Sequence, residues 1–92
     1  MCVKQTTGKT EWHLLPWREV EEVVQVMMHG NTKYAEESWK LVQDKEKPYF
    51  SAALRHIMAW MRGEKQDPES GRSHLAHAVC CLLILMWDDN NK

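Results

Sequence analysis

The stretch DPESGRSHLAHAVCCLLILMW, residues 67–87, decides the fold. Its second half, from Ala78 to Trp87, is an unbroken apolar run. That run is about half of the ~20 residues a bilayer crossing requires, so it reads as a buried element of a small domain. Leu75, Val79, Leu82 and Met86 recur at helical spacing and make one apolar stripe turned toward a core. Asp67 is a good N-cap and Pro68 a good first helical residue. The pattern predicts a helix that starts at this pair and ends at DDNNK, residues 88–92.

Working outward, a second helix is expected from near Pro48 to about Arg62, with Gly63 as its C-cap. Leu54, Ile57 and Met61 make one stripe on it, and Tyr49, Ala52, Ala53, His56 and Trp60 make another beside it. A first helix opens at Pro16 and places Val20, Val23, Val24, Met27 and Met28 on one face. Gly30 followed by Asn31 reads as its stop. Between these helices, residues 33–44 form a short helix or a structured loop, and DKEKP, residues 44–48, is a solvated connector. No segment alternates as a half-buried strand would. The expectation is an all-α single domain over residues 1–92, with residues 1–14 as a loosely ordered arm. It is a small bundle of three main helices with at most one further short helix. So few helices bury a limited core, and a homo-oligomer is expected to complete it.

Charge excludes one class of partner. Twelve basic against 13 acidic residues give a net charge of -1, with no basic stripe for direct nucleic-acid binding. A phosphate-bearing small molecule needs only local cations or a metal. The cysteines, Cys2, Cys80 and Cys81, are odd in number and not spaced as a disulfide framework. Together with a polar start that lacks a secretory pattern, they suggest a reduced, cytoplasmic protein without a membrane segment. The methionines and the cysteine pair read as core filler.

The polar residues ahead of the apolar run carry the chemistry. On a helix, Asp67, Ser70, His74 and His77 would share one face within roughly 80°. That face is either a cap followed by a solvated surface or a wall that binds a ligand or metal, with acids orienting two imidazoles. Glu64 and Asp67 form a Glu-x-x-Asp pair, and Glu19 and Glu22 a Glu-x-x-Glu pair. Facing pairs of this kind hold Mg²⁺ around a triphosphate, although Glu19 and Glu22 equally suit the positive start of a helix. His56 is either a satisfied core histidine or faces a cleft. Arg55 could reach a phosphate. Lys33, Tyr34 and Trp39 either grip a nucleotide or anchor a loop. There is no glycine-rich phosphate loop, no Gly-x-Ser-x-Gly and no Cys-x-x-Cys.

Taken in order, Gly30, Lys33–Tyr34, Trp39, Ala52, Arg55–His56, Gly63–Glu64, Asp67, Glu69–Ser70–Gly71 and His74, His77–Ala78 resemble the phage family of dATP/dGTP diphosphohydrolase N-terminal domains. The likeness covers roughly residues 17–86. It implies an all-α, phage-encoded protein of the infected host's cytoplasm, related to the MazG-like nucleotide pyrophosphohydrolases. Those cut a nucleoside triphosphate into monophosphate and pyrophosphate, using carboxylate-held Mg²⁺. This chain has His74 and His77 where such enzymes carry their second acidic pair.

The resemblance implies a metal-dependent pyrophosphohydrolase of purine deoxynucleoside triphosphates. Glu64, Asp67 and Glu69 would be catalytic and, with His74 and His77, would hold Mg²⁺ or Mn²⁺. Lys33 and Arg55 would meet phosphate, Tyr34, Trp39 or Trp60 would stack on the base, and His56 and Ser70 would complete the ligand site. The alternatives are a non-catalytic binder that sequesters a nucleotide or nucleotide-derived signal, and a protein–protein adaptor.

Overall fold

The computed structural model describes residues 8–33 and 36–92. Among them the protein is all-α, with helices α1 (Trp17–Lys33), α2 (Glu46–Met61) and α3 (His74–Asn90) and 3₁₀ turns at Trp12–Leu14 and Ser38–Leu41. The first of these turns lies inside the stretch expected as a loose arm and buries none of its residues. The second is the expected short element between the first two long helices. No helix among the described residues is long and apolar enough to cross a membrane.

Local chemistry sets most boundaries. The Pro16 carbonyl accepts from the Glu19 and Val20 amides at 3.0 and 3.1 Å, which starts α1 where a proline costs no hydrogen bond. Helix α2 ends in a Schellman arrangement: Gly63, at φ 100, donates to the Trp60 carbonyl and Glu64 to that of Ala59, both at 3.0 Å. Its start lies slightly before Pro48, so part of the expected connector is helical. Lys45, read as solvated, is buried, and its Nζ donates to the Val42 and Lys40 carbonyls at 2.7 and 3.0 Å.

Two expected boundaries move. Gly30 does not stop α1, which continues through Asn31 to Lys33. Helix α3 does not begin at Asp67. Its N-cap is Ser73, whose Oγ accepts from the Leu75 amide at 3.1 Å. Residues 67–73 instead form a closed turn. Asp67 Oδ2 accepts from the Ser70 amide at 3.0 Å, and the Asp67 carbonyl accepts from Gly71 at 2.8 Å. Gly71, at φ 72, takes a left-handed conformation that a helix running on from Pro68 would not contain. The Asp67 amide then donates to the Arg72 carbonyl at 2.8 Å, and His74 donates to Lys65 at 2.9 Å.

Helix α3 is the axis of the fold. It packs against both α1 and α2, whose backbones do not come close to each other among the described residues. Its small residues and Ile84 fill the seams: Ala76, Ala78, Cys80, Cys81 and Ile84 are buried, with Val26 of α1 and Ala53 of α2. The Cys80 thiol donates to the Val23 carbonyl at 3.4 Å.

The larger apolar side chains correct the expected core. On α3 the predicted stripe of Leu75, Val79, Leu82 and Met86 is 41–60% exposed. On α1, Val24 and Met28 face outward, while Val26 with Val23 and Met27 packs inward. On α2 the second stripe supplies the buried Ala53, and Leu54 and Met61 are exposed. Several methionines, Met28, Met58, Met61 and Met86, are therefore surface rather than filler. The physical reason is that α3 is apolar nearly all round, while among the described residues only two long helices and one 3₁₀ turn pack against it. Close helix approach selects the small side chains for the seams and leaves the bulky ones uncovered.

Candidate functional site

The connection between α2 and α3 folds back onto the start of α3 and brings acids to the histidines. His74, 4% exposed, lies between two partners. Its Nε2 is 2.7 Å from Glu64 Oε1 and its Nδ1 is 2.8 Å from His56 Nδ1. An ionised carboxylate only accepts, so His74 Nε2–H donates to Glu64. A neutral His74 then presents its Nδ1 lone pair to His56, whose Nδ1–H donates.

His77 stands one helical turn further along. Its Nε2 is 2.7 Å from Ser70 Oγ and 3.7 Å from Asp67 Oδ2, and its ring stacks on His56 with centroids 4.5 Å apart. Among the described residues, His56, Asp67 and His74 bring ligand atoms to within 4.8 Å of one another.

The electrostatics favour neutral rings and an ionised acid. Burial lowers the His56 pKa, and the neighbouring His77 and His74 add to the effect. Burial also lowers that of His77 and prevails over the opposing pull of Asp67. For Asp67 burial acts upward, but hydrogen bonds from the Ser70 amide and hydroxyl, aided by His77 and His56, hold the carboxyl below its usual value. Neutral imidazoles beside a carboxylate are the protonation states in which a metal is bound. The Cys80 thiol is pushed up to about 12 by burial, and burial raises Cys81 too, so neither supplies a thiolate.

The residues singled out in the sequence are distributed unevenly. Glu64, Asp67, Ser70, His74, His77 and His56 gather in the cluster. Asp67 and Ser70 reach it through the turn at residues 67–73, not through a helical face. Glu69 is exposed at its edge, 3.8 Å from Nε2 of His29 on α1. His29 carried no signal of its own in the sequence, because it falls on the flank of the apolar stripe. Arg55 is exposed on α2 beside His56. Trp60 lies apart, with Lys65 Nζ 4.1 Å over its ring. Trp39 packs edge-on against Trp87, centroids 5.2 Å apart. Glu19 is exposed, with Arg18 at 4.0 Å, and among the described residues the Glu19–Glu22 pair joins no group of converging ligand atoms. Tyr34, and Lys33 beyond its helical backbone, lie outside the described residues.

A cleft of about 390 Å³ opens beside the cluster. Its walls come from Val26 and Gly30 on α1, Trp39 on the second 3₁₀ turn, Tyr49 on α2, and His77 and Cys81 on α3. Of the apolar lining, only Met27 and Tyr49 fall on helix stripes read from the sequence. Nothing local in the sequence shows that four elements leave a gap between them.

Comparison with known proteins gives two positive results. A family model described as dATP/dGTP diphosphohydrolase, N-terminal, matches residues 2–92. A Salmonella phage PMBT28 protein named dATP/dGTP diphosphohydrolase is 31% identical over 90 residues, which is 98% of this chain. The chain spans only 30% of that relative's length. No solved structure matches the chain.

Proposed function

The chain belongs to the dATP/dGTP diphosphohydrolase N-terminal family, and on that premise we propose that it acts in metal-dependent hydrolysis of purine deoxynucleoside triphosphates. The observation that carries this reading is the convergence of His56, Asp67 and His74, with Glu64 behind His74.

The donor set bears on the ion. Two imidazoles and one carboxylate suit Mn²⁺ and its first-row neighbours better than Mg²⁺, which favours carboxylates, water and phosphate oxygens. When bound, such an ion polarises phosphoryl oxygens and acidifies water. The chain's own residues prepare the place. Glu64 fixes the His74 proton on Nε2, the usual role of an acid behind a metal-bound histidine. The His74 Nδ1 lone pair that accepts from His56 would be the one to ligate once the His56 proton shifts to its Nε2. Ser70 holds Asp67 ionised. His77, neutral and beside Asp67, is placed to take a proton, and Arg55 to meet phosphate.

The 30% share of the relative favours a second reading, in which this segment binds the nucleotide or a nucleotide-derived signal without cleaving it. Incubation with dATP or dGTP and Mn²⁺ separates the two. The enzyme reading expects monophosphate and pyrophosphate, formed several-fold faster with Mn²⁺ than with Mg²⁺. Recovery of a stoichiometric, intact triphosphate from denatured protein supports the binder and rejects the enzyme. Neither product nor bound ligand would remove the nucleotide reading altogether.

We also propose that the protein assembles with copies of itself. Phe50, Leu54, Met58 and Met61 of α2 are about half exposed or more, as are Leu82, Leu83 and Met86 of α3. The radius of gyration is 16.0 Å, against about 12 Å for a compact chain of this length. Uncovered apolar surface of this kind marks an interface. Light scattering at micromolar concentration should give at least twice the chain mass. A monomer at that concentration would overturn the assembly.

A further inference from the structure

We infer that the cleft between α1, the second 3₁₀ turn and α3 receives the purine base of the nucleotide, and that Gly30 sets its width. The inference rests on the nucleotide reading above and assigns its uncharged half. The volume, about 390 Å³, lies within the range of about 300–1,000 Å³ usual for small-molecule sites. Among the described residues the lining is mostly apolar, with no Asp, Glu, Lys or Arg side chain, which suits an uncharged ring better than a polyphosphate. It suits a flat, uncharged ring, with aromatic surface at Trp39 and Tyr49 and small polar groups at Asn31 and Ser38.

One residue joins this cleft to the ionic cluster. His77 lines the cleft and also contacts Ser70 at 2.7 Å and His56 by stacking. An apolar slot and a metal-ligating cluster that share a wall fit a ligand with a neutral aromatic end and a polyanionic end. That is the make-up of a nucleoside triphosphate.

Gly30 is the detail the helix itself does not explain. It lies within α1 and does not stop it. A glycine there weakens the helix relative to alanine. Its backbone is ordinary for a helix, since the positive-φ glycines are Gly8, Gly63 and Gly71. Gly30 lines the cleft, and a Cβ at this position meets no atom of the described residues within 4 Å. On this inference a side chain grown from this wall narrows the cleft without straining the backbone.

The test uses calorimetry in Mn²⁺ with three probes: α,β-methylene dGTP, which resists cleavage between its α and β phosphates, inorganic tripolyphosphate, and deoxyguanosine. The wild-type protein should bind the dGTP analogue at least about tenfold more tightly than tripolyphosphate. Gly30→Leu should erase that advantage and leave tripolyphosphate affinity unchanged, with Gly30→Ala intermediate. Deoxyguanosine should bind the wild type weakly and Gly30→Leu not at all. Both variants should melt no lower than wild type, because each residue favours a helix over glycine. If Gly30→Leu keeps the wild-type affinity for the analogue, the base lies elsewhere. Equal binding of analogue and tripolyphosphate by the wild type overturns the base site but spares the phosphate end. Failure of the wild type to bind either phosphate-bearing probe removes the nucleotide reading, and this inference with it.

Discussion

Replacing His74 with alanine is expected to abolish Mn²⁺ binding and to unfold the protein at a markedly lower temperature. The imidazole is buried and joins Glu64 and His56 at 2.7 and 2.8 Å. Its removal leaves a void and takes away the partners of both neighbours, for which a loss of about 2–4 kcal/mol is typical. For a domain this small each kcal/mol lowers the melting temperature by about 4–8 °C, so a fall on the order of 10 °C or more is expected. Glu64→Ala separates packing from ligation. Glu64 is 54% exposed, so its removal should shift melting by only a few degrees. It also frees His74 to place its proton on Nδ1, and loss of such an orienting acid lowers metal affinity by about 10–100-fold. Thermal melts and Mn²⁺ calorimetry on both variants measure the two effects independently. Undiminished Mn²⁺ binding by His74→Ala would exclude the site. Unchanged affinity in Glu64→Ala would remove the role given to the acid.

These outcomes depend on a geometry that the sequence disclosed only in part. Asp67, Ser70, His74 and His77 do come together, but helical spacing was the wrong reason for half of them. Only His74 and His77 share a helix. Asp67 and Ser70 return to it because Gly71 reverses the chain and Ser73, not Asp67, caps α3. Both Asp67-Pro68 and Ser73 are legitimate helix starts. The choice between them is made by the hydrogen bonds that close residues 65–74 into a turn, which neither helix-start pattern encodes. His56 shows the same limit from another side. Its stripe said that it faces inward, and its spacing from α3 in the chain gave no hint that it meets His74.

The core was misread for a related reason. On a helix apolar over most of its circumference, periodicity does not distinguish the face that packs from the one left open. Here Ala76, Cys80 and Ala53 pack because they are small, while Leu75, Leu82 and Leu54 remain outside. Composition fixes how much apolar surface exists, and the number of neighbours decides which part of it is covered. Bulky residues left outside a three-helix chain are what an expected oligomer would show, and the light-scattering experiment tests that directly.

Acid should weaken both the fold and the metal site through the same two rings. His56 of α2 faces His74 and His77 of α3 and Asp67 of the turn, with Arg55 on its own helix. His77 faces Asp67 and Glu69 of the turn, His74 on α3 and His29 of α1. Both rings have folded-state pKa values below the ordinary 6.5, chiefly through burial. Between 6.5 and those lower values the unfolded chain binds more protons than the folded one, so stability rises with pH across this window. The contribution is complete above about 6.5 and is lost as the pH falls through the folded values. The lowered carboxyl of Asp67 acts with the same sign, but below its ordinary value of 3.8. Metal affinity follows the same direction, because each proton on a ligating ring must leave first. Below the pKa of His56, Mn²⁺ affinity should drop about tenfold per pH unit for each competing proton. Urea unfolding at pH 8, 7, 6 and 5 should give similar midpoints at the first two values and falling midpoints thereafter. A His56→Gln, His77→Gln double variant should flatten that dependence. A midpoint that stays level from pH 7 to 5 in the wild type would show that the two rings are not held neutral by the fold.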